Sequence, residues 1–249
     1  MAFIQMNFYS SELMECTAMN VIVPEKCLDT GVKLPILWLL PPSGENQAAW
    51  TRYTDVEYLC RNRNVIVAMP NMRLSYGTDM AHGSRFFSML TRELPALMEQ
   101  YFPVDVRRQL ICGAKEGGYA ALRAAFGCRG QYHAAACFSC GNLIHETFPS
   151  VKEKEFSLAF GTEDHSELMD TEYDLFHLME ESATGSDFRF YLAYGSEDCY
   201  KKSAKEMAEY LEKEPVDFDC RMDASDGVLC WSDWSTCLAK FLEWADWVR

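Results

Sequence analysis

The 249-residue chain carries 37 acidic against 23 basic side chains, a net charge of −14, and is 49% hydrophobic and 13% aromatic. That length and apolar content are enough for one large packed core and exclude a disordered chain. The surplus of carboxylates argues against nucleic acid and anionic membrane as partners.

The opening MAFIQMNFYSSELMEC has neither a basic stretch nor a long apolar run, so no leader is expected. The longest apolar stretch, residues 34–42, is too short to span a bilayer. Eleven cysteines, an odd number without framework spacing, read as reduced thiols, and the expected compartment is the cytoplasm.

In chain order, residues 3–9 and 14–23 alternate apolar and polar and predict an antiparallel strand pair. LPILWLL (34–40) is a continuous apolar run followed by a Pro-Pro-Ser-Gly loop and a predicted helix over 47–62. VIVAM (65–69) is a further strand, 83–101 a helix, LICG (110–113) a strand end, 117–126 an Ala-rich helix and 133–140 another apolar segment. Residues 152–185 read as acidic and irregular. Strand, helix and strand follow at 188–193, 203–213 and 216–222, and a Trp-rich amphipathic helix at 231–248 closes the chain. Apolar strands alternating with helices predict an α/β fold whose mostly parallel, doubly wound sheet is covered on both faces. With no linker and no repeat, 1–249 reads as one domain, with 152–185 as a cap-like excursion over the carboxyl ends of the strands.

The most informative stretch is LICGAKEGGYAAL (110–122). It has the frame of a nucleophile elbow, in which the turn from strand to helix is so sharp that β-carbons two positions either side of the apex collide. Gly113 and Gly117 hold those positions around Lys115.

The elbow, together with MAFIQMNFYS, VIVPEK, the Trp38-to-Trp50 segment, VIVAMPN, YGTDMAHGSRFF, ELPALMEQYFP, YLAYGSED and the closing Trp-x-x-Trp, resembles the esterase D and tributyrin esterase group of α/β-hydrolases, with its S-formylglutathione hydrolase-like and feruloyl esterase-like members. The resemblance covers nearly the whole chain and implies an α/β-hydrolase fold with no cofactor. Function does not follow from fold, so each catalytic position is compared in turn.

The family's Gly-x-Ser-x-Gly-Gly stands here as Gly113-Ala-Lys115-Glu116-Gly117-Gly118. A desolvated lysine can act as a nucleophile, but no second lysine lies near Lys115 in sequence to activate its amine. Asp198, in Tyr-Gly-Ser-Glu-Asp, matches the acid; Gly-Thr-Glu-Asp164 is a near-copy inside the acidic segment. The family histidine precedes the last helix in a Gly-His-Asp-Trp-x-x-Trp-Asp context. Alignment on Trp231 and the acidic end of that motif puts Asp226 at the base position, and the last histidine of the chain is His177. A carboxylate is a weak base at neutral pH and cannot shuttle the proton as imidazole does. In the oxyanion loop the family's His-Gly is replaced by Pro41-Pro42, which leaves Ser43 N–H and Glu116 N–H as the donors of the hole.

The resemblance therefore implies an esterase homologue without serine-type chemistry, binding a small acyl or ester ligand or a protein partner, a second copy of the chain included. The alternative is an active carboxylic-ester hydrolase with a non-standard nucleophile. Lys115 is expected to form ion pairs with Asp198, Asp226 or both. His133, Cys137, Cys140 and His145 have a superficial zinc spacing, but both cysteines lie on an apolar strand, and no metal is expected.

Overall fold

The computed structural model describes residues 1–25, 31–181 and 187–245. Its centre is an eight-stranded sheet in the order β1-β2-β4-β3-β5-β6-β7-β8. The chain opens with β1 (Ala2–Ser10) and β2 (Glu15–Val23), an antiparallel pair, and β2 also runs antiparallel to β4. Met14, at φ 58°, makes the turn between them. From β4 onward all pairings are parallel: β3 (Leu34–Leu40), β4 (Ile66–Pro70), β5 (Val104–Ala114), β6 (Tyr132–Phe138), β7 (Arg189–Gly195) and β8 (Asp219–Ser225).

The continuous apolar runs follow from this position. All seven residues of β3 are buried; Ile36, Trp38 and Leu40 join the core on one face, Leu37 and Leu39 that on the other. Strands covered on both faces lose the polar alternation that half-exposed strands keep, and edge strand β1 keeps it.

One face carries α1 (Ala49–Tyr53), α2 (Val56–Cys60) and α9 (Trp231–Trp244), with Trp50, Val56, Trp234 and Phe241 in its core. The other carries α3 (Phe86–Ser88), which continues through a π turn into α4 (Leu94–Tyr101), and α5 (Glu116–Gly127). It also carries α6 (Ser150–Phe160), α7 (Leu175–Glu181) and α8 (Lys201–Lys213). The helices predicted over 83–101, 117–126 and 203–213 and the start of the one at 231 match α3–α4, α5, α8 and α9 within a few residues.

Three expectations change. The helix expected over 47–62 is two short helices, because Thr54 Oγ1 donates to Trp50 O and the chain turns at residues 54–55. The strand expected at 216–222 runs from Asp219 to Ser225. The segment 152–185, expected to be irregular, contains most of α6 and, within its described residues, α7. Phe156, Ala159 and Phe160 give α6 an i, i+3, i+4 apolar stripe that enters the main core, while its acidic residues Glu153 and Glu155 are half-buried at the edge of that stripe. Residues 182–185 and 246–248 of the expected elements lie outside the described residues.

Candidate active site at the strand-to-helix turn

Between β5 and α5 the chain reverses at Lys115, whose backbone stands at φ 52° and ψ −124°. A non-glycine residue rarely adopts this region, at a cost on the order of 1–3 kcal/mol, and such strain gathers at functional turns. The surrounding glycines permit it. A β-carbon on Gly113 would lie 2.3 Å from Gly117 O, and one on Gly117 would lie 2.4 Å from Pro41 O and 2.6 Å from Leu40 O. Lys115 N–H donates to Phe138 O at 2.8 Å, which fixes the apex to the end of β6.

The Lys115 side chain does not make the expected ion pair. Among the described residues its ammonium is bridged to no carboxylate; it lies 5.5 Å from the ring centroid of Trp234, whose indole N–H is anchored to Ser139 Oγ at 2.8 Å. The reason is that the neighbouring carboxylates are already engaged.

Asp198, 2% exposed, accepts Gly195 N–H at Oδ2 (2.7 Å) and Leu229 N–H at Oδ1 (2.8 Å). Its loop is tied to the β8–α9 loop by Glu197 N–H to Gly227 O and Ser196 N–H to Ser225 O, both 2.9 Å. Asp226 does not reach this point. It is exposed, beside Tyr194, Ser196 and Lys205 at the rim of a surface cavity of about 280 Å³. The loop residue that meets Asp198 is Leu229, 7% exposed and packed with the core around Trp234. Leu229 is also the second residue before Trp231, the spacing the family motif gives its histidine. Placing Asp226 at the base position was therefore a register error of three residues. Asp164 is exposed and caps a short 3₁₀ helix by accepting Ser166 N–H at 3.0 Å.

Glu116, the residue after the apex, is 2% exposed. Its Oε2 accepts Ser43 N–H at 3.1 Å, so one of the two N–H groups expected as oxyanion donors is turned toward the Glu116 side chain. Oε1 accepts from the Lys152 ammonium and the Tyr200 hydroxyl, and the Lys152 ammonium lies 5.0 Å from the Tyr200 ring centroid. Burial pushes the Glu116 carboxyl up, but Lys152, Tyr200 and the backbone donor outweigh it, and the carboxyl titrates below its ordinary value of 4.5. A lysine remote in sequence, Lys152 of α6, thus pairs with the residue after the apex. Neither Lys152 nor Tyr200 has a local signal in the sequence.

Cys199 lies beside Asp198 and is exposed. Desolvation raises its thiol pKa above the ordinary value of 9.0, and the Lys115 charge opposes that only in part. The zinc-like spacing is not assembled into a ligand set: His133 is exposed at the start of β6, while the buried Cys137 and Cys140 thiols donate to Cys140 O and Gly141 O.

An eight-stranded sheet in this order, a strained apex between β5 and α5 and a buried acid after β7 define an α/β-hydrolase-fold protein. The chain belongs to the Esterase family, whose model matches residues 10–240. It is similar to an acetyl esterase of Caldicellulosiruptor saccharolyticus, 25% identical over 265 aligned positions that cover 98% of each chain. Among solved structures it is similar to the substrate-bound fluorophosphonate-binding serine hydrolase F of Staphylococcus aureus (TM-score 0.84, 20% identity, 98% of each chain). It is also similar to an S-formylglutathione hydrolase of Agrobacterium tumefaciens (TM-score 0.83, 19% identity, 99% of this chain and 95% of the other). No helix among the described residues is long and apolar enough to cross a membrane.

Proposed function

We propose that this chain is an esterase-family protein that does not hydrolyse esters and serves as a binding scaffold in the cytoplasm. The observation that carries the reading is the partner of Asp198: from the β8–α9 loop it takes the backbone N–H of Leu229, where a triad acid would orient an imidazole. With lysine at the apex and no base, there is neither a hydroxyl to attack an ester nor a group to take its proton. The Glu116 carboxylate on Ser43 N–H adds a third obstacle, because it places negative charge where an oxyanion would form. The ligand expected from the family is a small acyl compound, and a protein partner or second copy is the other occupant consistent with a silent scaffold.

Labelling with a fluorophosphonate probe tests this. The intact protein is expected to remain unlabelled under conditions that label an active esterase of the family fully. Stoichiometric labelling, mapped to any residue of the elbow, would return the chain to the active hydrolases.

A further inference from the structure

The donors around Glu116 come from three separate places. Ser43 lies in the β3–α1 loop, Lys152 projects from α6, and Tyr200 immediately precedes α8. A carboxylate at 2% exposure is stable only if both oxygens are paired, and here each oxygen has a donor from a distant segment. The same three donors would satisfy any carboxylate, since none of them reads the atoms beyond the carboxyl carbon. One backbone N–H group, one ammonium and one phenol match the lone pairs of a planar monoanion and are poorly matched to a neutral amide, which offers one acceptor oxygen and two unwanted donors.

We propose that Ser43 N–H, Lys152 and Tyr200 form a carboxylate receptor whose resident ligand is the chain's own Glu116 side chain, and which takes a free small monocarboxylate once that side chain is removed. Tethering gives the resident group a high effective concentration, so external acetate does not displace it from the intact protein. The receptor rests on the three donors and not on the state of the triad, so it stands or falls independently of hydrolytic activity.

The experiment compares intact protein, Glu116→Ala, Glu116→Gln and Glu116→Ala/Lys152→Ala by thermal melting in sodium acetate. Sodium chloride at equal ionic strength and acetamide serve as controls. Glu116→Ala is expected to gain a saturable rise in midpoint, roughly 3–6 °C at ten times the dissociation constant, with acetate only. The intact protein and Glu116→Gln, whose sites are filled, should show none, and the double variant, which lacks the ammonium, should lose the response. If Glu116→Ala has no cooperative melt by itself, acetate present during refolding must restore one. A folded Glu116→Ala without an acetate-specific rise, a rise equal to that of the intact protein, or failure of acetate to restore folding overturns the proposal.

Discussion

The backbone N–H of Leu229 donates to Asp198 Oδ1 at 2.8 Å, while Oδ2 takes Gly195 N–H at 2.7 Å. Through these two bonds the buried Asp198 carboxylate staples the loop after β7 to the loop before α9. Asp198→Ala removes two charge-assisted hydrogen bonds and leaves two buried N–H groups without an acceptor, at a cost on the order of 3 kcal/mol. Urea unfolding checks this. An unchanged denaturation midpoint would mean that the two loops hold together without the carboxylate.

The Glu116–Lys152 pair has a defined pH signature. The folded-state carboxyl of Glu116 lies below its ordinary value of 4.5, so its contribution to stability is fully present above that value and is lost as the pH falls through the folded value. The stability difference between the intact protein and Glu116→Gln should be constant near neutrality and shrink through the acid range. Lys152→Met leaves a buried, uncompensated carboxylate and should cost about 3 kcal/mol, the lower end for a broken buried pair because Lys152 is 36% exposed. Adding Glu116→Gln to Lys152→Met should recover most of that loss. A double variant as unstable as Lys152→Met would show that the loss is one of packing and not of charge.

The strand-to-helix turn at Lys115 holds a strained backbone. Lys115→Gly relieves the φ 52° conformation and, after the added flexibility of glycine in the unfolded chain, should stabilise by about 1 kcal/mol. Gly117→Ala would press a β-carbon to 2.4 Å from the Pro41 carbonyl, a backbone atom that cannot turn aside, and should cost roughly 3 kcal/mol or more. Chemical denaturation of the two variants gives opposite signs in this account. A destabilised Lys115→Gly would indicate that the ammonium over Trp234 outweighs the backbone strain.

The sheet was legible because its strands are apolar on both faces, and the elbow because glycine is required at 113 and 117 for steric reasons visible in the letters. Asp198 was legible as a carboxylate after a strand. The other positions were not. Asp226 is polar and stands out in the letters, whereas the residue whose backbone meets Asp198 is the apolar Leu229, which carries no chemical mark. Lys152 and Tyr200 lie 36 and 84 residues from Glu116, so their convergence depends on packing of α6 and α8 that no local pattern encodes. The expected ion pair of Lys115 is absent because Asp198 is held by Gly195 N–H and Leu229 N–H, while Asp226 stands exposed on the surface.

The most direct test of a silent elbow is multiple-turnover hydrolysis of an activated acetyl ester by the intact protein, Lys115→Ala, Lys115→Ser/Leu229→His and Lys115→Ser/Leu229→His/Glu116→Ala. The account predicts no turnover above an inert control protein for the first two. The double variant should also stay near background while Glu116 holds Ser43 N–H, and turnover should appear first in the triple variant, since members of a triad act as a unit and need a vacant hole. Robust turnover by the intact protein, abolished in Lys115→Ala, would contradict the account and identify Lys115 as a working nucleophile.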